Sequence, residues 1–352
     1  MATITATRRA ALARALPGFD HLYIAASAWL LGGLYWDGWA HGYGLPDSFW
    51  TIWHATFYSG FAAVAVVLFT EISRARRNAR SWRGAIPTGY DLATLGAILF
   101  AFGGVFDATW HTAFGIETST DALLSPSHLI LGTAIALMVS APLRAAWLSE
   151  RRGDIREQLP AVLSLTALLS LFTFFTLYAG PYASLIGQGA RPSANILEKT
   201  LLGVLLFSGL IVSLALVALR RRTLPVGSLT VMLGINGMAM ILMRGHMPLN
   251  IQALFAGVAI LSGIVGDVLL WRLRPSPARV RELRVFATGL PVAYFAIYLA
   301  VVLLFVGSSW TVHSLTGMVV MAGIVGLLVS FVFVAASRHA AAPPLSPARS
   351  PG

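Results

Sequence analysis

The chain contains no cysteine, which removes thiolate metal sites, disulfides and covalently attached c-type haem from consideration. Charge is scarce too. Only 11% of the 352 residues are Asp, Glu, Lys or Arg, and acids number 14 against 25 bases. Too little charge remains to cover a soluble domain of any size. Any metal held here must therefore bind through His, carboxylate, Met or backbone oxygen.

What the chain has is apolar surface. Hydrophobic residues make up 57% of it, and the mean hydropathy is +0.75. Apolar runs of membrane-spanning length recur from one end to the other. The fold class read from this pattern is all-α, a polytopic integral membrane bundle. About ten spans are expected, at 19–40, 49–71, 90–114, 124–146, 159–180, 198–219, 226–245, 249–271, 285–306 and 310–336.

The basic residues sort by side. Of the 25, 22 fall at one set of span ends, and only Arg191, Lys199 and Arg244 fall at the other. The positive-inside rule then expects a multi-pass protein of the cell membrane with both termini cytoplasmic. The net charge of +11 lies in short loops between apolar runs, which argues for the lipid bilayer as partner and against nucleic acid. Arg8, Arg9 and Arg14 lead straight into the first run, as in an uncleaved signal-anchor. Four regions are expected: a basic N-terminus (1–18), a hairpin region (19–148), the remaining bundle (149–337) and a disordered Pro-rich tail (338–352).

Under this orientation His41, His54, His111, His128, His246 and His313 all fall at outer span ends, and only His21 and His339 at inner ones. Four of the six belong to a pattern that occurs twice. Asp37-Gly38-Trp39-Ala40-His41 closes span one, and His54 opens span two. Asp107-Ala108-Thr109-Trp110-His111 closes span three, and His128 opens span four after Ser125-Pro126-Ser127. Residues four apart share a helix face, so each Asp lies one turn from its His. The Ser-Pro-Ser stretch is a helix-start signal that places His128 in the first turn. The two His of a copy are 13 residues apart in the first and 17 in the second. The pattern reads as a duplicated helical hairpin.

Ionisable residues inside a bilayer are costly and point to function. Two imidazoles and a carboxylate suit copper or zinc and leave an open coordination position. The metal candidates are thus Asp107, His111 and His128, with Asp37, His41 and His54 as the second set. The same residues also admit a bland reading, an Asp–His pair within an interfacial Trp belt. Trp39, Trp53 and Trp110 are expected to shape a dry pocket.

The wording of the second copy, Asp107-Ala108-Thr109-Trp110-His111 followed by Ser125-Pro126-Ser127-His128, resembles the metal motif of the C subunit of the copper membrane monooxygenases, the particulate methane and ammonia monooxygenases. The resemblance implies that Asp107, His111 and His128 ligate an intramembrane copper. It also implies an oxidoreductase acting on a small apolar substrate within an assembly of several membrane subunits; a homo-oligomer is the other partner expected. The stretch between the motif's halves is longer here than in that family. The first copy has the family's ligand types and spacing without its wording. The likeness covers two hairpins, not the chain.

Two other classes remain open. Paired histidines on facing helices, from among His54, His128, His246 and His313, could hold haem b in an electron carrier. A transporter or metal-ion permease would show repeats and midplane polar groups. Elsewhere, Asp20 and Asp91 read as N-caps, Asp267 near Arg272 as a snorkelled or paired charge, and Asn195 as a cap before Glu198 and Lys199. Arg244-Gly245-His246-Met247-Pro248 reads first as a tight turn between spans seven and eight, with a substrate-facing outer loop or a Met-containing copper relay as the alternatives.

Overall fold

The computed structural model of the protein describes residues 15–341, except 47, 49, 80, 116, 118–119, 150–154, 183–186, 222 and 244–246. Arg244, His246, most of the basic N-terminus and the tail beyond Ala341 lie outside the described residues. Those that are described form an all-α bundle. Its long helices are α1 (Phe19–Gly42), α2 (Ile52–Arg76), α3 (Asp91–Phe114), α4 (Pro126–Leu148), α5 (Ile155–Phe175), α6 (Ala194–Leu219), α7 (Ser228–Leu242), α8 (Leu249–Leu273), α9 (Val280–Val306) and α10 (Val312–Ala341).

Eight of these are long and apolar enough to cross a membrane. The two exceptions correspond to the first and seventh expected spans. α1 has the length, at 24 residues, but Asp20, His21, Asp37 and His41 make it less apolar. α7 has only 15 residues, about 22 Å at 1.5 Å per residue, against a hydrocarbon core of about 30 Å.

α1 packs along α2, and α3 along α4; α5 touches α1, α4, α6 and α7 and is the most buried span. The α1–α2 crossing depends on glycine. A Cβ on Gly33 would lie 2.5 Å from Phe57 Cα, and one on Gly60 would lie 2.5 Å from Leu30 Cα. Backbones can approach this closely only where side chains are absent, as at small-residue crossings of membrane helices. α4 breaks at Ser140, just before Pro142, which has no N–H to continue the ladder. The buried Ser164 hydroxyl of α5 repairs the break, accepting from Leu143 N–H at 3.3 Å and donating to Val139 O at 2.5 Å.

Several readings of polar residues change. Asp267 does not pair with Arg272. Its carboxylate accepts from Leu229 N–H (3.1 Å), Thr230 N–H (2.9 Å) and the Thr230 hydroxyl (2.6 Å), and so caps the start of α7 from a neighbouring helix. The leading N–H groups of a helix have no acceptor within it, and Asp267 supplies one for two of those in α7. Asp20 and Asp91 sit inside the first turns, the N-cap positions being Gly18 and Tyr90. Asp20 accepts from the Tyr90 hydroxyl at 2.6 Å, and Asp91 pairs with Arg144 at 2.6 Å. Asn195 is likewise helical, and Ser193 holds the N-cap position of α6.

Candidate metal centre

Both Asp/His pairs fall near the C-terminal end of a helix, on α1 and α3, and each is faced by a His near the start of the helix that folds back on it. In the second group, Asp107 Oδ1 lies 3.4 Å from His111 Nε2 and 3.1 Å from His128 Nε2. In the first, Asp37 Oδ1 lies 3.3 Å from His54 Nε2 and 3.8 Å from His41 Nε2. In each group the three candidate ligand atoms lie within 4.8 Å of one another, and no other such group occurs among the described residues.

The other ring nitrogens are already committed. His128 Nδ1 faces Ala122 O at 2.5 Å, and His54 Nδ1 faces Ser48 O and Thr51 Oγ1, both at 2.9 Å. His111 Nδ1 meets Glu117 Oε2 at 3.1 Å and Gly115 O at 3.4 Å. A carbonyl only accepts, so Nδ1 carries a proton in His54 and His128, and Nε2 faces the carboxylate and offers a lone pair when the ring is neutral. This is the arrangement by which outer partners orient metal-binding imidazoles.

The consequence is electrostatic. In each group two imidazole Nε2 atoms and a carboxylate oxygen converge. Asp107 is almost wholly buried, and its Oδ1 accepts no hydrogen bond among the described residues. With both rings neutral, such a cluster is stabilised by positive charge among its atoms, either a proton on Nε2 or a metal ion. The donor set therefore fits a metal ion, with imidazole nitrogen and carboxylate oxygen suited to copper or zinc.

Local sequence explains the placement. Ser125 is the N-cap of α4 and accepts from His128 N–H at 3.4 Å, with Pro126 in the first turn. Gly115 closes α3 at φ +85°, a backbone conformation side chains disfavour, and this turns the chain so that its carbonyl meets His111. Trp39 packs on Tyr43, and Trp110 between Phe106 and Phe114. His313 is exposed in the first turn of α10 and joins neither group, and His21 bonds Arg156 O at 3.0 Å.

Sequence reasoning overlooked four contributors. Glu117 comes from the loop after α3. Ser48 and Ala122 act only through backbone oxygen, which no residue type announces. Tyr58 donates its phenol to Asp107 Oδ2 at 3.2 Å. Its spacing of four residues from His54 was the available signal, since it puts both on one face of α2.

Fold and site together define a helical membrane protein with two Asp/His/His groups at one end of its first four helices. Compared with family models, curated proteins and solved structures, the chain matches none of them.

Proposed function

We propose that this protein is a membrane metalloprotein in which Asp107, His111 and His128 hold one ion and Asp37, His41 and His54 a second. The observation that carries this reading is the convergence of two Nε2 atoms and one carboxylate oxygen in each group, with the outer nitrogens of His54, His111 and His128 tied to carbonyl or carboxylate oxygen. In the wider reading the protein has ten spans with the hairpin duplicated, α1 and α7 included. The basic helix ends and both termini then lie in the cytoplasm, and the metal groups open to the outer face of the cell membrane.

Copper is the proposed metal, because thiolate-free imidazole sites suit it and because Asp107-Ala108-Thr109-Trp110-His111 resembles the copper monooxygenase motif. Bound there, copper would supply one-electron redox chemistry. The chain's own residues orient the imidazoles through Ala122, Ser48 and Glu117 and keep Asp107 out of water. A small apolar substrate fits the surroundings. A groove of about 760 Å³ runs between α2 and α3, lined by Tyr58, Phe61, Phe100, Gly104, Val105 and Ala108, the last adjacent in sequence to Asp107. By this reading the protein is a monooxygenase-like oxidoreductase, alone or with other membrane subunits. Haem b between the two imidazoles of one group is disfavoured because a carboxylate oxygen lies between them, where a macrocycle would have to pass.

The test is metal analysis of detergent-purified protein with an absorption spectrum. Close to two equivalents of copper are expected, falling to one in His111→Ala and in His128→Ala with helical content unchanged. Zinc in place of copper would turn the reading to a hydrolase using metal-activated water. Haem absorption, or metal content unaffected by both substitutions, would overturn it.

A further inference from the structure

Tyr58 rides on the helix that carries His54 of the first metal group and bonds the carboxylate of the second. It follows His54, a member of the first group, by one turn of α2, so both face the same way. Its phenol donates to Asp107 Oδ2, the oxygen of the second group's carboxylate that is not turned toward the imidazoles.

The ring is held in place as well as bonded. It packs edge-on against Phe100 with centroids 6.0 Å apart. Across from it stands Gly104, where an added Cβ would come within 3.1 Å of the ring. α3 therefore leaves room for this phenol three residues before the carboxylate it bonds.

A carboxylate can turn about its own bond and can offer either oxygen, or both, to an ion. A donor fixed on Oδ2 removes that freedom, setting the plane of the carboxylate and presenting Oδ1 alone. We infer that Tyr58 is a positioning residue that couples the two groups: it orients Asp107, and because it rides on the same helical turn as His54, an ion bound in the first group shifts the geometry of the second. This rests on the reading that both groups hold metal. One turn of α-helix is short and internally hydrogen-bonded, so a displacement of His54 carries to Tyr58 with little loss.

The experiment titrates Cu(II) into the full-length, detergent-purified chain and records affinity and the electron paramagnetic resonance hyperfine pattern of each site. Tyr58→Phe removes the hydroxyl and keeps the ring. It is expected to weaken copper at Asp107/His111/His128 by about 10- to 100-fold, the usual effect of losing an outer-shell partner, and to change that site's hyperfine pattern. Emptying the first group with His41→Ala plus His54→Ala is expected to change the second site's affinity and spectrum when Tyr58 is present. In the Tyr58→Phe background the same double substitution should produce no further change, which is the signature of coupling through this residue. Gly104→Ala is the second variant. It crowds the ring but keeps the hydroxyl, and should shift the hyperfine pattern in the same direction by less.

A merely structural role would move the melting temperature and leave the hyperfine pattern alone. A second-site spectrum and affinity unchanged in both Tyr58→Phe and Gly104→Ala would overturn the inference. So would a dependence on the first group that survives Tyr58→Phe. The reading beneath it fails differently: wild-type protein would bind no copper, or copper that His111→Ala does not disturb.

Discussion

Gly33→Ala isolates the contribution of helix packing to one metal group. Gly33 lies four residues before Asp37, about 6 Å down α1, where the added methyl would meet Phe57 Cα at 2.5 Å and Phe57 N at 2.7 Å. Non-bonded carbons sit comfortably at about 3.5–4.0 Å, so α1 and α2 must separate by about 1 Å at this crossing. Backbone atoms cannot rotate aside as a side chain can. Overpacking of this kind costs about 1–3 kcal/mol.

The consequence for the site is selective. His54 stands three residues before Phe57 and moves away with α2, whereas Asp37 and His41 share α1 and stay together. The present Asp37–His54 separation of 3.3 Å would open by a comparable amount. An ion in the first group would then lose a ligand's proper placement, at a cost of about 10- to 100-fold in affinity, if displacing a ligand is at least as harmful as losing an outer-shell support. The second group is built by α3 and α4, which pack against each other, and should keep its ion. The assay is metal content after gel filtration at limiting copper, with a thermal melt in the same detergent. One equivalent in place of two, with a lower melting temperature, is expected. Two equivalents and an unchanged melt would refute the argument from this crossing.

Two further substitutions test the supports of the fold and site. Asp267→Ala removes three hydrogen bonds and leaves two N–H groups at the start of α7 without an acceptor, for a loss on the order of 3 kcal/mol. A lower melting temperature with metal content unchanged is expected, and a wild-type melt would show that the cap contributes nothing. Ser125→Ala removes the N-cap of α4, typically about 0.5–2 kcal/mol, and loosens the turn that carries His128. Weaker copper binding at the second group alone is expected by titration, and equal binding would mean that Pro126 and Ala122 suffice to hold the ring.

The sequence by itself determined the class of the protein and two of the three residues in each metal group. Apolar runs of this length, with so little charge between them, leave no alternative to membrane helices. The helical period then places Asp37 beside His41 and Asp107 beside His111 wherever those helices go, and Ser125-Pro126 sets the turn of His128. These are local consequences of 3.6 residues per turn and of capping.

Tertiary structure decided the rest. That His54 and His128 return to the very oxygen their hairpin's Asp presents depends on how closely paired helices approach, which at α1–α2 is set by Gly33 and Gly60. The Tyr58–Asp107 bond spans 49 residues, and Asp267 caps α7 from 38 residues away. In sequence, Asp267 looked like one more charge near Arg272, and Tyr58 like one aromatic residue among many. Their roles arise from packing between distant segments, where each backbone or side-chain polar group removed from water must find a partner, and the local pattern does not name that partner.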